Sequence, residues 1–170
     1  MHKNAKMAHS KCMMKVLSLY LLCSILSVVN IGGYAQPMEL KDFFAQATEI
    51  YCLVDGKETK CNTWQCKEIV NCLEQLLTAD GSYEMPAFGV SMHKLTIEQM
   101  KQGVWLRFVY EKEHMHNNMP FTELLIKVEP SYAGFNIVRK YNGEYTGRCF
   151  YYQTSCTMQS LWELLKTFSF

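Results

Sequence analysis

The chain has 170 residues, 49% of them hydrophobic and 19% charged, a balance that excludes an intrinsically disordered protein. Its 17 Lys and Arg nearly match its 16 Asp and Glu, for a net charge of +1. That is not the basic excess that a nucleic-acid binder carries.

The first predicted element is a leader. Lys3, Lys6, Lys11 and Lys15 precede an apolar run over 16–31, and Gly33 and Ala35 are small residues just before Gln36. A basic start, an apolar core and small residues at the cut make up a secretory signal peptide. Cleavage is expected after Ala35, so that 1–35 is the signal peptide and 36–170 a single secreted or periplasmic domain. A retained membrane anchor is the alternative. A spanning helix needs about 20 apolar residues, and this run is shorter and contains Asn30. All 16 acids follow Ala35, with 17 − 4 = 13 basic residues, so the mature charge is 13 − 16 = −3. Neither nucleic acid nor an anionic membrane is an expected partner of the mature domain.

Leu40, Phe43, Phe44, Ala47, Ile50, Tyr51 and Val54 follow an i, i+3, i+4, i+7 pattern. The pattern predicts a helix over 40–54, stopped by Asp55-Gly56. The alternative is a strand over 50–54 that turns at Asp55-Gly56. Asn62 or Thr63 can cap a second helix, whose apolar face runs from Cys66 through Ile69, Val70 and Leu73 to Leu77. The two helices are expected to form an antiparallel hairpin. A short strand is possible over 87–92, and Thr96 with Gln99 has capping-box spacing for a short third helix.

The second half reads as strands. Residues 104–111 are apolar on both faces, as in a central strand. A second strand covers 121–128. Two more flank Asn142-Gly143, a dipeptide suited to a hairpin turn in which both residues need positive φ. Thr157 is expected to cap a last helix with Met158, Leu161, Trp162, Leu165 and Phe168 on one face. Runs of helices and strands without alternation predict an α+β domain. Its parts are an N-terminal helical hairpin, a short third helix, an antiparallel sheet of about four strands and a C-terminal helix packed on one face.

Six cysteines follow the leader: Cys52, Cys61, Cys66, Cys72, Cys149 and Cys156. An even number in an oxidising compartment predicts disulfides. The simplest layout pairs the first four among themselves and Cys149 with Cys156. Zinc fits poorly, because six residues separate the last pair, where structural sites use two to four.

His114 and His116 lie in a polar stretch, 112–120, read as a loop between strands. They are candidate metal ligands for a small secreted hydrolase, although no third ligand is fixed and H-E-x-x-H is absent. Gly89-Val90-Ser91-Met92-His93 lacks the last glycine of a nucleophile elbow.

The terminal hairpin supplies the other candidate. A two-residue turn at Asn142-Gly143 sets Arg139 opposite Thr146 and Ile137 opposite Arg148. Arg139 and Arg148 then share a face with Tyr141, Phe150 and Tyr152. Guanidinium groups beside aromatic rings can hold an anion, a sugar or a peptide. Arg139, Tyr141, Arg148 and Tyr152 are therefore the expected contact residues of a binding domain for a protein, peptide or glycan, with no cofactor. Replacing both arginines by Ala is expected to abolish binding and leave the melting temperature nearly unchanged.

Overall fold

The computed structural model describes residues 39–84, 90–91, 94–145 and 148–168, with backbone only at 83, 84, 90, 91, 96 and 148. The expected leader, the cut after Ala35 and most of the 87–92 segment lie outside the described residues. Among the described residues, no helix is long and apolar enough to cross a membrane.

The chain begins with a short helix, α1 (Leu40–Ala45), which ends where the 40–54 helix was expected to continue. A β-hairpin follows instead, made of β1 (Glu49–Val54) and β2 (Lys57–Lys60). The N-terminal helical hairpin is thus corrected. Asp55 and Gly56 take φ of 49° and 81°, the two positive values that a tight hairpin turn needs. Along β1, Ile50 and Cys52 are buried and their neighbours less so. Six residue pairs with the next long strand reward the extended form. The helical period in 46–54 is outweighed by this pairing, which a local pattern does not contain.

After β2 comes α2 (Thr63–Thr78), then β3 (Tyr83–Glu84), β4 (Val90–Ser91) and α3 (Lys94–Gln99). Asn62 caps α2: its side chain accepts from the Gln65 N–H at 2.9 Å, and Gln65 accepts from the Asn62 N–H at 2.8 Å. The main strands are β5 (Val104–His116), β6 (Met119–Val128) and β7 (Gly134–Tyr141). The chain closes with β8 (Glu144–Tyr145), β9 (Arg148–Gln153) and α4 (Gln159–Lys166).

All pairings are antiparallel. The sheet runs β2-β1-β5-β6-β7-β9-β3, with β4 beside β9 and β8 beside β7. It is therefore wider than four strands, and it curls into half a barrel. The extra width comes from β1 and β2 and from the short edge strands β3 and β4.

Parity sorts the side chains. Leu106, Phe108, Leu124, Ile126, Ile137 and Phe150 enter a core closed by α1, α2 and α4 through Phe43, Phe44, Ile69, Leu73, Leu161 and Leu165. The other face carries a smaller cluster of Trp105, Leu125, Val138 and Cys149 with Met100. Gly134 (φ 145°) opens β7 where Tyr151 and the Tyr152 carbonyl leave no room for a Cβ.

Candidate functional site

The expected contact residues lie on β7 and β9. The turn forms as expected, with Asn142 and Gly143 at φ 50° and 83° and Tyr141 opposite Glu144. Beyond it the register differs: Ile137 pairs with Phe150 and Phe135 with Tyr152. The expected Ile137–Arg148 pairing is thus off by two residues. An even slip leaves every side chain on its original face, whereas an odd one would turn the strand over.

The face that Arg139 shares with Phe135 and Ile137 is the one buried under the helices. Arg139 is 0% exposed. Its Nη1 donates to the His116 carbonyl at 2.7 Å and lies 3.3 Å from His116 Nδ1. Nη2 meets Met119 Sδ at 3.3 Å, and the guanidinium carbon sits 4.2 Å from the centre of the Phe150 ring. Arg139 is therefore an internal clamp and not a surface contact. At Arg148 the described backbone pairs with Ser91 of β4.

What Arg139 holds is an arm. β1 pairs with β5 only as far as Val109, and β7 pairs with β6 only from Glu123. The β5–β6 hairpin continues beyond both. Its register shifts between Val109 and His114, a bulge that exposes Glu111, Lys112 and Glu113 in succession. The tip is Asn117-Asn118, both with positive φ (50° and 59°). Asn tolerates that conformation better than most residues.

His114 and His116 are on this strand, not in the expected loop. Both rings face inward. His114 stacks on Phe121 at 5.6 Å and meets Tyr110 edge-on at 4.9 Å. Phe43 of α1 packs against both histidines and Phe121. Burial lowers the His114 pKa from its usual value. Among the described residues, no three His, Cys, Asp or Glu side chains are placed to share a metal ion.

Of the described contact candidates, Tyr141 lies at the hairpin end of the sheet. Its hydroxyl donates to Glu113 Oε2 at 2.7 Å, tying the β7–β8 turn to the arm. The bond to the Glu113 carboxylate raises the tyrosine pKa. Met115, 53% exposed, lies on the same arm. Tyr152 is elsewhere. Its ring stacks on Phe135, six residues or about 20 Å along β7 from Tyr141. There it lines a cavity of about 230 Å³ with Leu40, Leu77 and Thr78. The described side chains of Arg139, Tyr141 and Tyr152 therefore do not share one surface. Reading 112–120 as a loop hid the arm, although Asn117-Asn118 between alternating residues was a hairpin signal.

The six cysteines are free thiols in this structure. Cys149 belongs to the outer cluster, while exposed Cys156 leads into α4 on the other face. Their expected pairing is not supported by this placement. Cys72 lies 3.7 Å from Ser160 of α4. Cys52 and Cys61 are buried in the main core. Burial pushes the Cys52 thiol up to about 11. It pushes Cys61 up to about 12, helped by neighbouring Cys66 and Cys52.

No protein-family model, curated protein or solved structure matches this chain.

Proposed function

We propose that the chain is a secreted or periplasmic binding domain whose contact surface is the hairpin end of the sheet. The observation that carries the reading is the Tyr141–Glu113 bond, which joins two tight-turned hairpins into one platform. Arg139 anchors the platform from below through the His116 carbonyl. A surface ordered before binding loses less entropy on association than a floppy one. Tyr141 offers the apolar contact, and Tyr is favoured at binding hot spots. Glu111, Glu113 and Glu144 outnumber Lys112 there, so the complementary surface is a basic patch on a protein or peptide partner.

Capture from the extracytoplasmic fraction tests this with three baits. Wild type and a Tyr132→Ala control, altered at an exposed tyrosine elsewhere, should retain the same partner. Tyr141→Ala should weaken it by about tenfold or more, as expected for a hot spot. Equal retention by all three would reject the platform. The mature N-terminus of the recovered protein should be Gln36, and an intact leader would reject cleavage in favour of the retained anchor.

A further inference from the structure

We propose that Cys61 and Cys66 are a disulfide-forming pair that covalently closes the N-terminus of α2. Asn62 is the N-cap, so Cys61 is the residue before it and Cys66 the fourth residue of the helix. Those two positions are where a hydrophobic staple places a side-chain pair in contact across the first turn. Here both are cysteines.

The backbone around them is held from two sides. The Cys61 N–H donates to the Ile50 carbonyl at 2.9 Å, and the Cys66 N–H to the Asn62 carbonyl at 2.9 Å. Cys66 Sγ lies 3.7 Å from the carbonyl oxygen of Cys61 itself. Cys52 is the rival partner. It pairs with Thr59, while Cys61 is bonded to Ile50, so Cys52 and Cys61 are diagonal across the hairpin. Diagonal neighbours are about 7–8 Å apart, beyond the usual disulfide span of about 4.4–6.8 Å between Cα atoms.

Access sets the order of events. Cys66 is half-buried and Cys61 buried. Cys66 also lines a cavity of about 220 Å³ with Lys67, Val70 and Ala47. A small external disulfide, RSSR, can reach it there. The Cys66 thiolate attacks one sulfur of RSSR, forming a mixed disulfide and releasing RS⁻. The Cys61 thiolate then attacks Cys66 Sγ, forming the internal bond and releasing the second RS⁻. Two protein thiols lose two protons and two electrons, and RSSR becomes two thiols. This inference does not depend on the proposed binding surface.

The test uses the reduced full chain with oxidised glutathione at mildly alkaline pH, then acid quench, alkylation and trypsin. Lys60 and Lys67 bracket both cysteines, so they fall on one peptide, 61–67. The expected product is that peptide two hydrogens lighter than its reduced form and carrying no alkyl group. The same treatment of Cys66→Ser should leave Cys61 without an internal bridge. Alkylation of both cysteines in the treated wild type would overturn the proposal. So would a stable glutathione adduct on each, or a cross-link between 61–67 and the Cys52 peptide, 42–57.

Discussion

Arg139 illustrates how strand parity and burial together set the role of a charged side chain. It alternates in step with Phe135 and Ile137, which enter the core, so the guanidinium enters too. Removing such a cation from water costs several kcal/mol unless polar atoms and ring faces replace the solvent. The His116 carbonyl, Met119 sulfur and Phe150 ring do so here. The expectation that replacing both Arg139 and Arg148 by Ala is thermally silent is therefore reversed at Arg139. Urea denaturation should show Arg139→Ala losing roughly 2–4 kcal/mol, from a cavity and a lost hydrogen bond. Arg139→Met, which fills the space without charge, should recover much of that loss. An unchanged midpoint for Arg139→Ala would contradict the buried clamp. Arginine in a hairpin reads as a solvent-facing residue on residue type alone; its neighbours' parity held the opposite information.

Elements were legible where their signals are local. The α2 start is one: Asn62 with Gln65 has capping-box spacing, and both reciprocal bonds form. Asn62→Ala should lower stability by about 1 kcal/mol, read from chemical denaturation, with Gln65→Ala costing less. No change in Asn62→Ala would mean that the cap adds nothing to the folded state. The Asn142-Gly143 turn is another, since positive φ follows from the residues themselves. The stretch from Ile50 to Val54 fits both a helix and a strand period. Its choice rests on pairing with β5, 50 residues or more along the chain. The two-residue slip between the β7–β8 and β7–β9 registers is likewise invisible to a rule that extends pairing from the turn.

At the scale of the molecule, one sheet serves two apolar clusters of unequal size. Strands β5, β6, β7 and β9 contribute to both, so the two clusters are expected to lose order together. The three tryptophans make this testable. Trp105 is in the outer cluster and Trp162 packs on the main core. Variants retaining only one of these two, with Phe at the other tryptophan positions, should share one urea midpoint after correction for the substitutions. Separate midpoints would show two folding units. Cooperativity of this kind also bears on the candidate site, because the arm is braced by Arg139 in the core and by Tyr141 at the surface.

Composition, spacing and residue type by themselves determined the antiparallel pairing tendency, the α2 cap and the Asn142-Gly143 turn. Each depends on neighbours within a few positions along the chain. Alternation also placed Arg139, Tyr141, Phe150 and Tyr152 on one face of the sheet. Only the tertiary structure decided that the helices cover that face, and it thereby converted Arg139 from a contact residue to a clamp. It also brought Glu113 to Tyr141. The physical reason is that parity says which side chains travel together, while the face that loses its water depends on where distant helices bury their own apolar stripes.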